Sequence, residues 1–472
     1  MSIQEGESTP DPTGLAENLM DLNLNAAATD KPDATEPENF SPKKDKKPSR
    51  KGKRGGKKQH KKAAKSDSSS LDSGLTSSEQ PTFTSFNGFD NTKSDTHTEE
   101  LFVFGQRSFT DTDGGEHGLF AKTHILAGTR IISEPPILAL IESQTDSEGV
   151  YAAFQKLSES RKQEVLDLRS VEQEVLLGHR DEIAQLIEDA EILEKKNERT
   201  EEESTILKAM KIDLDTKVLK YRLAAIFMTN AVSLRLQADP KGIPPNVPVT
   251  GLFPTAARLN HSCIPNVFMT WNSRIKRVTV HATRDIHPRD ELTCSYIGTK
   301  TFFFPAEERR RLLVKWAFKC MCPACDTNHS AFEEHDANRC KLYTNQEYMD
   351  FFFSKRVEHP NPSASTPSRK THTDPPTQYE YLLAEQTILD TIDVLRQEGC
   401  TDMELARQRK MLAVYVLPDL GKWTAALAHA KTTLLIAERC IGTDNPDIEE
   451  TRKSKEMLGK KVEDEKRATK RR

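Results

Sequence analysis

The sequence predicts a fold of the α+β class, in which short strands precede a helical C-terminal third. Apolar runs interrupted by glycines between residues 114 and 140 are typical of short strands joined by tight turns, and alternation over 266–286 indicates a hairpin. Residues 378–460 instead carry apolar side chains near helical spacing. A chain of 472 residues is long enough to bury a sizeable core in these regions.

The first 98 residues are expected to form a disordered tail, because they are polar and show little periodicity. Residues 1–42 carry nine acidic side chains against the single Lys31, whereas residues 43–65 carry thirteen Lys and Arg against one Asp. A block of like charge cannot bury enough apolar surface to fold. The basic tract at 43–65 is interpreted as a nuclear-import signal, a nucleic-acid contact through phosphates, or an ordinary solvated tail.

The sequence predicts an intracellular protein of the nucleus, the cytoplasm or both, without a membrane contact. No apolar run approaches the length of a bilayer span, and the N-terminus lacks the basic and apolar regions of a secretory signal. In such a compartment the eight cysteines are reduced thiols. They are therefore available as metal ligands or as small core residues.

In chain order, short strands are expected at 119–121 and 130–134. A charge-rich stretch from about 141 to 219 then indicates a helical insertion, which contains no cysteine. Residues 221–236 predict a buried helix that runs into an extended segment. The hairpin follows, and after it a strand at 291–296 that ends in a tyrosine.

Helices predominate in the C-terminal part of the chain. A helix is expected to begin near Pro305, followed by a linker at 329–377, a helical region at 378–462 and a basic tail at 463–472. Four alanines suggest close, tetratricopeptide-like packing: Ala425, Ala426, Ala428 and Ala430. The repeat period does not separate this arrangement from a helical bundle that completes the core.

Cys320, Cys322 and Cys325 form the pattern C-x-C-x-x-C, which places three thiols on one short turn. Structural zinc requires four soft donors in a tetrahedron, and the ion holds the thiols as thiolates at neutral pH. Three clustered cysteines in a reduced chain therefore predict a zinc site with a fourth ligand from elsewhere.

Cys263 is one candidate for that fourth ligand, because it lies in a polar loop whose turn geometry can hold a donor. Cys340 and His329 are rivals on spacing alone. The remaining cysteines are interpreted as small buried residues; they are Cys294, Cys400 and Cys440.

Four short motifs occur in a fixed order: "GLFA" at 118–121, "NHSCIPN" at 260–266, "ELTCSY" at 291–296 and "CMCPAC" at 320–325. Together they resemble the SET-domain protein lysine methyltransferases, in particular the SET-and-MYND branch and its fungal relatives. The resemblance covers about half of the chain. It implies a SET domain at 99–298 that contains the insertion, and a zinc-binding post-SET segment at 299–328.

The resemblance implies a fold of small sheets in which the Asn-His segment and the strand ending in Tyr296 thread past each other as a pseudoknot. It also implies Cys263 as the fourth zinc ligand and S-adenosylmethionine as cofactor. The cofactor-binding residues that it implies are Gly118, Leu119, Asn230, Asn260, His261, Tyr296 and Phe318.

Two features of this sequence depart from that branch. The insertion lacks the cysteines of a MYND zinc finger, and Trp316 stands where the better-known members have a second tyrosine beside the active site. Trp316 and Phe303 are candidate walls of a substrate channel, although the consecutive Phe302, Phe303 and Phe304 are more often core residues.

Tyr296 is the predicted catalytic residue, since its hydroxyl can orient the methyl group and the amine without serving as a strong base. An isolated tyrosine at a strand end would more simply hydrogen-bond the backbone. His261 fits a general base by residue type, but the resemblance makes it a cofactor contact. Two functions stay open: a lysine methyltransferase acting on a histone or another protein, and a non-catalytic adaptor that binds partners through the C-terminal helices and the basic tail.

Overall fold

The computed structural model describes residues 100–106, 117–172, 174–234, 249–298, 300–358 and 375–471. The predicted tail at 1–98 and its basic tract at 43–65 lie outside the described residues. Within the ranges described, no helix combines the length and apolar character that crossing a membrane requires.

The predicted hairpin is part of a three-stranded antiparallel sheet. Strands β8 (Val267–Asn272) and β9 (Arg277–Ala282) form the hairpin, and β3 (Arg130–Glu134) pairs with the other edge of β9. Strands β1 (Phe102–Gln106) and β2 (His117–Ala121) form a separate antiparallel pair. Apolar side chains of β2, β3 and β9 share one buried cluster, which holds these two sheets together.

A third sheet anchors the helical insertion. Its order is β4 (Leu138–Ile141), β6 (Val249–Leu252) and β5 (Val232–Leu234), so β6 pairs with strands on both sides. Neither β4 nor β6 is among the strands predicted from the sequence. The insertion leaves from β4 and returns at β5, so its two ends are tied to the same central strand.

The insertion expected at about 141–219 consists of four helices: α1 (Ser147–Phe154), α2 (Glu159–Leu166), α3 (Leu177–Glu194) and α4 (Glu201–Asn230). Helix α4 begins with a capping box, in which the Thr200 hydroxyl accepts from the Glu203 amide and the Glu203 carboxylate accepts from the Thr200 amide. Its last turns bury Leu223 and Ile226 in the cluster that includes β4 and β6. The helix therefore extends past 219 and ends beside the sheet.

The Asn-His motif lies beside the strand that precedes Tyr296. Strand β7 (Asn260–His261) pairs in parallel with β10 (Thr293–Cys294). Asn266 joins the two segments, because its side-chain amide donates to the Glu291 carbonyl at 2.8 Å and its Oδ1 accepts from the Thr293 amide at 2.8 Å. The predicted strand at 291–296 is thus two residues long, and the implied pseudoknot stays a prediction.

The segment after Tyr296 contains two short helices, α5 (Lys300–Phe303) and α6 (Ala306–Leu313), and Pro305 is the N-cap of the second, as the sequence predicts. A single 3₁₀ turn follows and ends at Ala317, whose φ of 50° lies in the left-handed region. Residues with a Cβ enter this region at a cost. The left-handed conformation of Ala317 turns the chain between Trp316 and Phe318.

The linker predicted at 329–377 is wrong over its first half, where helix α7 (Phe332–Glu358) lies. Leu342, Met349 and Phe352 repeat at helical spacing and are buried against the C-terminal helices. The abundant polar residues around them form the exposed face of α7, which explains why composition alone indicated a linker.

The C-terminal region contains α8 (Gln378–Gln397), α9 (Met403–Met411), α10 (Trp423–Ile441) and α11 (Ile448–Arg471). The last helix includes most of the predicted basic tail at 463–472, because its charged side chains lie on an exposed face while Leu458 and Val462 are buried. Of the four alanines, Ala426 and Ala430 are buried and the other two are exposed. Tetratricopeptide-like packing stays a prediction.

Candidate active site and metal centre

A cleft of about 1280 Å³ lies where segments far apart in the sequence meet. Its walls come from the turn after α2, the end of α4, residues 256–261, residues 294–296 and residues 315–318. Six residues predicted from the sequence line it: Asn230, Asn260, His261, Tyr296, Trp316 and Phe318. The structure therefore brings most of the predicted site together.

Asn260 is held at the edge of the cleft by two acceptors. Its side-chain amide donates to the His117 carbonyl at 3.0 Å and to a carboxylate oxygen of Glu291 at 2.7 Å. A Cβ at Gly118 would lie 2.6 Å from that carboxylate, so this contact requires glycine. His117 lines the cleft, whereas the predicted Gly118 and Leu119 are buried beside it.

His261 connects the cleft to the cysteines. Its Nδ1 accepts a hydrogen bond from the Tyr296 amide at 3.0 Å, and its Nε2 lies 3.3 Å from the sulphur of Cys263. Because Nδ1 is an acceptor, the proton of the neutral ring resides on Nε2 and points at the sulphur. Both ring nitrogens are engaged, which favours a structural role over that of a general base.

Tyr296 lies at the centre of an aromatic group. Its ring centroid is 5.0 Å from that of Trp316, 5.4 Å from that of His261 and 6.1 Å from that of Phe318. Its hydroxyl donates to the Leu259 carbonyl at 2.7 Å. The hydroxyl proton is thus directed to the backbone, and the remaining lone pair of the oxygen can accept.

Trp316 and Asn230 both direct their polar atoms to the backbone. The indole nitrogen of Trp316 donates to the Thr229 carbonyl at 3.0 Å, so its only donor is used, and the ammonium of Lys315 lies over the ring, 4.0 Å from the ring centroid. The amide of Asn230 donates to the carbonyls of Arg169 and Ile226 at 2.6 and 2.8 Å. Trp316 is thus an aromatic wall without a free polar group.

The structure does not place Phe303 in a channel. Its side chain is buried among the C-terminal helices, in the cluster that contains Leu342 and Phe352. Three consecutive phenylalanines are hydrophobic enough to anchor α5 in this core, which is the alternative noted from the sequence. Phe303 is therefore a core residue.

The sulphurs of Cys263, Cys320, Cys322 and Cys325, here called the cysteine cluster, all lie within 4.8 Å of one another. Those of Cys263 and Cys325 are 3.5 Å apart. Four thiolates about 2.3 Å from one zinc ion would be about 3.8 Å apart, so the arrangement fits such an ion. Neither rival ligand, Cys340 or His329, belongs to the cluster.

The environment of the cluster favours charge on some of its sulphurs. The pKa of Cys325 lies well below its usual range, because Cys263 and the other two thiols donate to its sulphur and Arg309 adds positive charge. The pKa of Cys263 is raised in exchange. Thiols that share protons in this way are suited to binding a metal as thiolates.

Sequence reasoning missed two sets of residues at the site. Arg309 and Arg339 are wholly buried next to the cluster, although the sequence showed them only as charged positions of a helix and a linker. The second set comes from the insertion and lines the cleft: Leu166, Asp167, Leu168, Arg169, Val171 and Arg222. No sequence signal indicates either set, because their contacts join segments distant along the chain.

Comparisons with known proteins show which families the central part of the chain resembles. The family model described as "SET domain" matches residues 116–297. The histone-lysine N-methyltransferase set5 of Schizosaccharomyces pombe is 43% identical over 75 residues, which cover 16% of this chain and 23% of that protein. The N-lysine methyltransferase SMYD2 of Rattus norvegicus is 39% identical over 79 residues, 16% of this chain and 17% of that protein.

The protein-lysine N-methyltransferase SMYD4 of Homo sapiens is 36% identical over 78 residues, 16% of this chain and 10% of that protein. The chain thus spans less than a quarter of each relative. A solved structure described as the SET domain of LSMT bound to lysine and AdoHcy has 13% identity and a TM-score of 0.24, covering 77% of this chain and 88% of that one. A structural match with so low a TM-score supports no conclusion about this chain.

These findings give the class of domain that the central region resembles: residues 116–297 match the SET-domain family model. The named relatives place it beside SET-and-MYND lysine methyltransferases and the fungal set5, so the resemblance stated from the four motifs is confirmed.

Proposed function

We propose that this protein is an S-adenosylmethionine-dependent protein-lysine N-methyltransferase. The observation that carries the proposal is a convergence on one cleft, where Asn260, His261 and Tyr296 of the region that matches the SET-domain model meet Phe318. A cleft of about 1280 Å³ is large enough for a nucleoside cofactor and a lysine side chain together.

Residues on one side of the cleft would hold the cofactor. The Phe318 ring offers a flat apolar surface for adenine, and Asn260, fixed by Glu291, edges the same cavity. S-adenosylmethionine, when bound, supplies an electrophilic methyl group. Gly118 and Leu119 would contribute backbone, and Asn230 lies at the end of α4 as a further contact.

The aromatic side of the cleft would lower the pKa of the substrate lysine. At pH 7 an ordinary lysine must lose its proton at a cost of about 4.6 kcal/mol before it can act as a nucleophile. Apolar walls disfavour the ammonium form and so lower the pKa of a bound lysine. Trp316 and Tyr296 form such a wall, with ring centroids 5.0 Å apart.

Tyr296 would orient the reacting groups. Because its proton is directed to the Leu259 carbonyl, its oxygen can accept from the amine of the substrate and from the polarised methyl hydrogens. This role requires no proton transfer to the tyrosine. The lysine proton leaves to solvent before the methyl group moves.

The cysteine cluster would bind one structural zinc ion. Its four sulphurs all lie within 4.8 Å of one another, and His261 links Cys263 to the Tyr296 amide. The ion would thus fix both the post-SET segment and the wall of the cleft.

Methyl transfer to protein substrates with labelled cofactor tests the proposal. Tyr296→Phe should reduce transfer about 100-fold or more, as removal of a positioned polar group commonly does. Cofactor affinity measured by calorimetry should change little, because Tyr296→Phe keeps the ring. Tyr379→Phe is the control, since Tyr379 is exposed on α8. Undiminished transfer by Tyr296→Phe would contradict the assigned site.

One observation favours the second function, an adaptor that binds partners without catalysis. The only polar group of Trp316 is used by the Thr229 carbonyl, so the channel has one polar side fewer than a pair of tyrosines would give. Calorimetric titration discriminates between the two functions, because a chain that binds no S-adenosylmethionine is not the enzyme.

The substrate and the cellular site are also proposals. A lysine-bearing protein, histone or other, follows from the proposed activity. The basic tract at 43–65 fits a nuclear-import receptor or a nucleic acid, and with it a location in the nucleus, the cytoplasm or both.

A further inference from the structure

Arg309 is a completely buried cation whose side chain faces the cysteine cluster from α6. Its Nε lies 3.2 Å from the sulphur of Cys263, and one terminal nitrogen lies 3.3 Å from the sulphur of Cys325. The terminal nitrogens also donate to the carbonyls of Phe304 and Ala324. Within the described part of the chain, no carboxylate pairs with Arg309.

This environment satisfies the hydrogen bonds of Arg309 but leaves its charge dependent on the sulphurs. A buried charge without a counter-charge costs several kcal/mol, and carbonyl groups supply none. Four neutral thiols would leave the guanidinium uncompensated. A divalent ion held by four thiolates carries a net charge of minus two, so it supplies the counter-charge of the guanidinium, and the guanidinium offsets half of the negative charge of the metal centre.

We propose that Arg309 is a positioning residue of the metal centre, which stabilises the thiolates of Cys263 and Cys325 and slows the loss of zinc. This inference rests on the proposed zinc site. The sequence showed Arg309 as one of three consecutive arginines, but only this one is wholly buried at the cluster.

Cys263, whose sulphur Arg309 contacts, connects the metal centre to two other parts of the protein. Cys263 contacts His261, which accepts from the Tyr296 amide, so the ordered sulphur supports the wall of the cleft. Arg339 donates to the Cys263 carbonyl at 3.3 Å and pairs with Glu398, which joins the same loop to the C-terminal helices. Loss of the ion would release both connections.

Zinc retention by the full-length protein tests this proposal. Zinc per chain is measured by elemental analysis, and the rate of zinc release is followed with an excess of a colorimetric chelator at fixed pH. Arg309→Met keeps the length of the side chain and removes its charge and donors. We expect this variant to release zinc about 10- to 100-fold faster, the range usual for outer-shell partners of metal ligands.

Arg311→Met is the matched control on the same helix, because Arg311 is exposed and pairs with Glu307 and Glu308 at the surface. It should release zinc at the wild-type rate. Arg309→Lys keeps the charge with fewer donors and should lie between the two, and it replaces Arg309→Met if that variant does not fold.

The inference would be overturned if Arg309→Met released zinc at the wild-type rate. Where only Arg309→Lys folds, a wild-type rate of zinc release from that variant would overturn it. A wild-type protein without zinc would overturn it as well. The assay needs no methyl transfer. An effect of Arg309 on zinc release can therefore be observed in a protein without methyltransferase activity, and an active protein can show no such effect.

Discussion

Among the contacts between the C-terminal helices and the region that matches the SET-domain model, two junctions built on Arg–carboxylate pairs differ in exposure. At the first, Arg339 and Glu398 are 0% and 1% exposed, and they connect α7 and the end of α8 to the Cys263 loop. At the second, Arg130 of β3 pairs with Asp444 of the loop after α10, and their side chains are 33% and 34% exposed. Both junctions contain an Arg and a carboxylate.

The difference shows how burial changes the contribution that the same kind of ion pair makes to stability. An exposed ion pair is screened by water and contributes little, whereas loss of one partner from a buried pair strands a charge. Glu398 also accepts from Asn338 and contacts His335, so its carboxylate is fully engaged. The buried junction should therefore resist salt and fail when a charge is removed.

Among the changes at the two junctions, removal of the Glu398 charge should lower the free energy of unfolding most. Glu398→Gln keeps the shape but leaves Arg339 without its counter-charge, so we expect a loss of about 3–5 kcal/mol in the free energy of unfolding. Urea denaturation of the full chain measures it. Glu347→Gln, at an exposed position of α7, should cost under about 0.5 kcal/mol. Equal losses would contradict the assigned role.

Acid should weaken the second junction through His281. Burial and, to a smaller extent, the charge of Arg130 together lower the pKa of His281 to about 4, against a smaller opposing effect of Asp444. The folded ring therefore stays neutral below pH 6.5, where the unfolded ring binds a proton. The contribution of His281 to the free energy of unfolding is therefore fully present above about pH 6.5. About 3 kcal/mol of it is lost as the pH approaches 4.

The comparison of wild type with His281→Gln isolates this contribution from those of the carboxylates. The unfolding free energies of the two proteins should differ progressively between pH 6.5 and 4, with the variant less sensitive to acid. Parallel pH profiles would show that His281 is not the responsible group.

Removal of the exposed partner should have the smallest effect. Asp444→Asn should cost under about 1 kcal/mol, because the pair with Arg130 is partly solvated. Thermal unfolding at low and high salt measures this, and the difference from wild type should disappear in about 1 M salt. A loss as large as that of Glu398→Gln would remove the distinction between the junctions.

The sequence was most informative where chemistry restricts residue type. The C-x-C-x-x-C pattern predicts that a fourth donor must approach, and the structure places Cys263 there and excludes Cys340 from the cluster. The Asn-His motif and Tyr296 likewise meet at one cleft. Such residues can be recognised because few alternatives perform the same task.

Sequence reasoning failed where the partner of a residue lies far along the chain. Phe303 has the composition of either a channel or a core, and only the packing of α7 against α8 assigns it to the core. Arg309 and Arg339 resemble surface charges until the fold buries them beside sulphur and Glu398. Charge alone does not show whether a side chain is solvated.

The sequence by itself determined the class of domain that the central region resembles, the positions of the hairpin and of most of the helices, and the candidate ligands, because local patterns and scarce residue types carry that information. Only the tertiary structure decided which charges are buried, which insertion residues line the cleft and how the C-terminal helices support the cysteine cluster. Those properties depend on desolvation and on contacts between distant segments, and neither is present in the chain before it folds.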